Sequence, residues 1–239
     1  TAIANNMSDM SDGSIVKVLE GGQYIDYIIA ARNYESGLNG TGGTLFVRKE
    51  MLCIPAWNNT AVNAYSGSTI DTYINDNFKN ALSSYVQSKI RRTKFYYTPG
   101  NGNKSLSTLS RDVFLLSAKE LAYNDSYNGQ MWGKGCNGEG MLLPTALKIF
   151  ESCQSTNQQL YIAWTRTPVY DARYFGIPSG HNTDSAVGCF YIPSRGYVSY
   201  GNYPVTRNGD YGSSERYGYQ PAFVVDSDLK LGIDNRIEE

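Results

Sequence analysis

The stretch SIVKVLEGGQYIDYIIAARNY (14–34) constrains the fold more than any other. Residues 14–20 alternate apolar and polar, as a half-buried strand does. A Gly-Gly pair follows, and YIDYIIAARNY (24–34) resumes the β-type pattern. Two such runs around a glycine turn predict an antiparallel hairpin. Beyond the loop SGLNGTGG (36–43), TLFVRKEMLCI (44–54) predicts a third strand. The chain is thereby committed to a sheet before any helix begins.

The first helix signal is Ser68 followed by Asp71, a capping pattern ahead of an apolar stripe. Ile70, Ile74 and Phe78 lie on one helical face with Tyr73 beside them, and a second short helix continues through Leu82, Tyr85 and Val86. KIRRTKFYYT (89–98) reads as a strand and TPGNGNKSLSTLS (98–110) as a loop. In DVFLLSAKELA (112–122) a short buried strand runs into a turn of helix, with Ser117 as cap and Glu120 three residues on. LPTALKIFES (143–152) has a helical pattern. LYIAWTRTP (160–168), AVGCFYI (186–192) and YQPAFVV (219–225) read as strands. Strands before, between and after two main helices predict an α+β class with antiparallel pairing. Residues 1–13 read as a polar leader or attachment linker, and 14–239 as a single domain.

Catalytic signatures are sparse. The single histidine, His181, sits in PSGHNTDSA, and no nucleophile-elbow motif accompanies it. One histidine and four scattered cysteines supply no zinc pattern. Cys53 and Cys189 fall in apolar runs and read as buried free thiols; Cys136 lies in a polar loop, so no reactive cysteine pair is evident. The glycine-rich GTGGT (40–44) and PGNGNKS (99–105) lack the Walker pattern and read as loops. A net charge of -1 gives no electrostatic footprint for nucleic acid, and no apolar run is long enough for a membrane span. The expectation is a non-enzyme without metal or cofactor.

Several segments occur together in order: DGSIVKVLEGGQYIDYIIAARNY, STIDTYINDNF, VFLLSAKEL, WTRTP and YGYQPAFVV. The set resembles an uncharacterised domain family of phages and bacterial surface proteins. That family is similar to the C-type lectin-like fold, shared with formylglycine-generating enzymes and with the variable proteins of diversity-generating retroelements. The resemblance implies a loop-rich C-terminal half that presents the binding surface. Gln220 stands where the family pattern has arginine before Pro-Ala. The acid-amide-proline and Trp-Asn-Asp motifs of calcium-dependent sugar binding are absent, so that activity does not carry over.

Ten of the 20 tyrosines fall between Tyr161 and Tyr219. Tyr161 and Tyr191 sit in apolar runs and read as packed, and Tyr217 and Tyr219 as framework. Tyr197, Tyr200, Tyr203 and Tyr211 lie among Gly, Ser, Asn and Asp, in a segment that reads as irregular loop. Tyrosine gives contact area at low entropic cost, and small polar neighbours add adaptable hydrogen bonds, as in binding loops. The expected ligand-binding set is Trp164, Arg166, Tyr170, Arg173, Tyr174, His181, Asn182, Tyr197, Tyr200, Asn202, Tyr203, Arg207, Asn208, Asp210 and Tyr211. The expected partner is a host cell-surface protein or glycan. The resemblance implies display on a phage tail or particle, or on a bacterial surface, with trimerisation as one mode, and retroelement diversification of the C-terminal loops. Two other readings stay open: a formylglycine-generating-type or carbohydrate-active enzyme, and a structural particle protein.

Overall fold

The computed structural model describes residues 5–53, 56–121, 138–151, 160–170, 182–207 and 217–237. The chain opens with the two-residue strand β1 (Asn5–Asn6), then β2 (Ile15–Glu20) and β3 (Gln23–Arg32). β2 and β3 form the expected hairpin, with Glu20 opposite Gln23. Its two turn residues, Gly21 and Gly22, have φ of 58° and 78°, the left-handed pair that a tight two-residue turn needs. One helical turn, α1 (Ser36–Asn39), precedes β4 (Gly43–Arg48) and β5 (Leu52–Cys53). The run expected as one strand over 44–54 is therefore two strands, and they belong to different sheets.

Next come α2 (Thr69–Tyr73), a π-helical turn (Ile74–Phe78), α3 (Lys79–Ala81) and α4 (Ser84–Lys89). Ser68 caps as expected, its Oγ accepting from Asp71 N–H at 3.3 Å. Asp71 Oδ2 in turn accepts from Gly67 N–H, and both its oxygens accept from Arg111. Then follow β6 (Ile90–Arg91), β7 (Thr93–Tyr97), β8 (Ser107–Arg111), α5 (Ala118–Leu121) and α6 (Ala146–Glu151). β8 corrects the loop expected over 98–110. STLSR carries too few apolar residues to announce a strand, and its structure comes from antiparallel pairing with β7.

The last strands are β9 (Ile162–Pro168), β10 (Ser185–Ile192), β11 (Tyr197–Pro204), β12 (Tyr217–Tyr219), β13 (Ala222–Asp226) and β14 (Lys230–Leu231). One five-stranded sheet has the order β2-β3-β4-β13-β6, and the other β11-β10-β9-β12-β5. Among the described strands, the pairings are antiparallel except that of β12 with β9. The molecule is thus mixed α+β with few, short helices. The β4–β5 stretch and the β12–β13 stretch run side by side through both sheets. At their crossing Gln220 Nε2 donates to the carbonyls of Arg48 and Lys49, each at 3.3 Å. A neutral amide suffices there because the acceptors are backbone carbonyls.

Residues 5–13 are built into the fold. β1 pairs with β14, Met7 is buried, and Arg32 donates to the carbonyls of Met7 and Met10. Cys53 is exposed, because β5 is an edge strand, while Cys189 is buried. Among the described residues, no helix is long and apolar enough to cross a membrane.

Candidate functional site

β10 and β11 form a hairpin whose outer strand, β11, is the edge of its sheet. Tyr197 to Pro204 was expected as loop; it is a regular strand. Its sequence has no apolar run, so the pairing rests on register with β10, from Ser185 opposite Pro204 to Ile192 opposite Tyr197. Successive side chains alternate between faces.

One face is an aromatic floor. Trp164 on β9 stacks on Tyr217 with ring centroids 5.1 Å apart, and Tyr203 meets both rings edge-on. Gly188 and Gly201 lie opposite one another in register. A Cβ on Gly188 would lie 2.4 Å from Ile162 Cγ2 and 3.0 Å from the Tyr203 ring, and one on Gly201 would lie 2.5 Å from Tyr203 Oη. The two glycines leave the slot in which the Tyr203 ring lies. Gly188→Ala is therefore expected to cost roughly 1–3 kcal/mol by overpacking, readable as a lower urea midpoint with unchanged m-value.

That floor reassigns several expected contact residues. Trp164 is 2% exposed and packs inside the fold, although its Nε1 finds no acceptor among the described residues. Tyr203 is half-buried in its glycine slot, a framework position. Asn182 is buried and shapes a turn: its Oδ1 accepts from the N–H groups of Asp184 and Ser185. Arg166 is the largest correction. It is fully buried, with Nη1 2.6 Å from Glu120 Oε1 and 2.9 Å from the Leu115 carbonyl, and Nε donating to the Tyr96 carbonyl. Its guanidinium also lies over the Phe95 ring at 4.7 Å. A buried arginine must be paired, and this one is consumed by the core.

Glu120 and Glu139 share that arginine. Glu120 accepts from Tyr34 Oη at 2.6 Å and from Ser117 N–H at 2.9 Å, completing the expected Ser117–Glu120 capping box. Glu139 accepts from Thr98 N–H and from the Thr167 hydroxyl. Burial pushes the Glu139 carboxyl up to about 7, against the lowering effects of Arg166, Thr167 and Thr98. Sequence inspection missed this group, because its members come from five separate segments. The only local signal is a charged residue inside the otherwise apolar and threonine-rich β9.

What remains outward is narrower. Tyr197 is 44% exposed, and its hydroxyl accepts from Arg195 Nη1 at 3.1 Å. Tyr161, expected to be packed, is 42% exposed. Tyr200 and Asn202 sit two residues apart on one face of β11 and are half-buried. Both polar side-chain atoms of Asn202 are buried and lack a partner among the described residues. Tyr170 is half-buried with Lys104 Nζ 4.9 Å from its ring centroid, and Arg207 is exposed with Nη1 3.4 Å from Tyr217 Oη. Arg173, Tyr174, His181, Asn208, Asp210 and Tyr211 lie outside the described residues, as do Cys136 and Cys153. Burial drives the Cys189 thiol well above its ordinary range, which leaves it a packing residue at neutral pH.

No curated protein matches the chain, and no solved structure does either. A family model described as a domain of unknown function, DUF6273, matches residues 41–227, which spans both sheets from β4 through β13. With most of its length covered by that model, the chain belongs to the DUF6273 family.

Proposed function

We propose that this chain is a non-catalytic recognition domain whose β10–β11 hairpin contacts a cell-surface protein or glycan. The observation that carries the reading is the edge strand β11, which bears an exposed Tyr197 and a half-exposed Tyr200. The Asn202 amide on the same strand is buried with neither polar atom paired among the described residues, at a cost on the order of 1–3 kcal/mol. Tyrosine beside it supplies rigid amphipathic area for a sugar face or a protein surface. The architecture proposed is C-type lectin-like, a reading supported by the pairing of β1 near the start of the chain with β14 near its end. The setting proposed is a phage tail or particle, or a bacterial surface, where display in several copies, as a trimer for example, would convert weak contacts into firm attachment. Retroelement diversification is retained only if a reverse transcriptase and a near-identical template repeat flank the gene.

The test is binding of labelled protein to a panel of Gram-positive and gut bacterial cells and glycans. Tyr197→Ala with Tyr200→Ala is expected to abolish binding; the Tyr200 ring packs partly on the core, so the thermal midpoint should fall modestly while the fold persists. Asn202→Leu is the control. It removes a buried unpaired amide, so stability should hold or rise while binding persists. Unchanged binding in the tyrosine variant overturns the assignment.

A further inference from the structure

A second surface stands apart from the tyrosine hairpin. A cleft of about 500 Å³ opens between residues 38–43 and residues 91–94, with Tyr34, Ser110 and Val224 also lining it. Its rim carries three cations, Arg91, Arg92 and Lys94. Arg91 is held in place: Nε donates to Asp226 Oδ1 at 2.5 Å, and Nη1 to the Thr41 carbonyl at 3.3 Å. A Cβ on Gly43 would lie 3.2 Å from Arg91 Nη1, so the missing side chain leaves the guanidinium room against the loop. Lys94 is fixed through its backbone, because Asn39 Oδ1 accepts from its N–H and Asn39 Nδ2 donates to its carbonyl, both at 2.8 Å.

The charges do not cancel. Asp226 faces Arg91, and Asp112 is shared between Lys79 at 2.8 Å and Arg92 at 3.7 Å. Among the described residues, no carboxylate lies within 4.0 Å of Lys94 Nζ. Three rim cations face two carboxylates, one of them shared with Lys79, so at least one positive charge is unmatched around a recess that also offers the Ser110 hydroxyl and the apolar side chains of Leu38 and Val224. Its volume suits a small organic ligand.

We infer that this cleft binds a phosphorylated saccharide or polyol unit. Arg92 and Lys94 would contact the phosphate, and the sugar or polyol would lie against Leu38 and Val224. The unmatched positive charge on the rim suits a phosphate group, as monoester or diester. An arginine fork next to a lysine point charge suits its oxygens. The loop is not a nucleotide P-loop, and the binding needs none. The source is a free sugar phosphate or a phosphodiester polymer of the bacterial envelope. The second source rests on the recognition reading above; binding of phosphate itself does not.

Titration of ¹⁵N-labelled protein at low ionic strength tests the assignment. The probes are glucose 1-phosphate, poly(glycerol phosphate), glucose and sodium sulfate. Saturable shifts at the amides of Thr41, Gly42 and Lys94 are expected with one or both phosphate probes, and none with glucose. The stronger phosphate probe identifies the source. Reversing charge in Arg92→Glu with Lys94→Glu should weaken binding at least about tenfold, since two charge-assisted contacts are lost. Both positions lie on the exposed rim, so the fold should persist, which the unchanged remainder of the amide spectrum would verify. Equal response to sulfate, or binding that survives the double reversal, overturns the inference. Tyr197→Ala with Tyr200→Ala should retain phosphate binding, so failure of either site is read separately from failure of the other.

Discussion

Arg166→Met is expected to destabilise the protein by about 3–5 kcal/mol, enough to leave much of it unfolded if its total stability lies in the usual range of about 5–15 kcal/mol. The reason is what the arginine leaves behind. Glu120 lies 2.6 Å from Nη1 in a fully buried site, and without its counter-charge the carboxylate is stranded in low dielectric. The Tyr96 and Leu115 carbonyls lose a donor at the same time. Methionine fills much of the volume and repairs none of this. Lysine would keep the charge but lacks the planar fork that reaches β7, α5 and the 113–116 segment together, so Arg166→Lys should fall between. Urea unfolding of the three proteins checks the order. Adding Glu120→Gln to Arg166→Met should recover part of the loss, because a neutral amide no longer needs the cation; simple additivity of the two changes would show that the pair is not coupled. A loss under about 1 kcal/mol for the methionine variant would refute the structural role.

That position also marks where sequence reading stops. The β2–β3 hairpin, the Ser68 and Ser117 caps and the β9, β10 and β13 strands were legible, because each is announced by residues within a few positions of itself. β8 and β11 were not. Their residues are mostly Ser, Thr, Tyr, Gly and Asn, and their conformation is imposed by partners across a hairpin. Arg166 resembled a surface contact residue for the same reason. Its charge is visible in WTRTP, but Glu120 and Tyr34, which neutralise and enclose it, are far away in sequence. Tyr203 resembled one too, until the paired glycines 188 and 201 were seen to leave its ring a slot. The cationic cleft escaped notice because Arg91 and Lys94 face a glycine loop about 50 residues earlier.

Glu139 gives the clearest pH signature. Burial raises its carboxyl from the usual carboxylate range to about 7, while Arg166 works in the opposite direction. The guanidinium is already engaged by Glu120, and Tyr34 and the half-buried Glu35 lie close to the same centre. Glu139 is thus the second carboxylate on one cation. A carboxyl with a raised folded-state value binds its proton more tightly in the folded protein than in the unfolded chain. Its contribution to stability is complete below about pH 4.5, falls as pH rises, and is gone above about pH 7. A shift of that size corresponds to roughly 3 kcal/mol. Ordinary surface carboxylates give the opposite trend in acid, so the measurement is a difference between wild type and Glu139→Gln. Glutamine can accept from Thr98 N–H or from the Thr167 hydroxyl but not from both as the carboxylate does, so the variant begins with a pH-independent loss. From about pH 4.5 to pH 7 the wild type should then lose about 3 kcal/mol relative to the variant, and the two curves should run parallel above pH 7. Parallel curves across the whole range would mean that Glu139 titrates alike in the folded and unfolded chains, and that Arg166 offsets the effect of its burial.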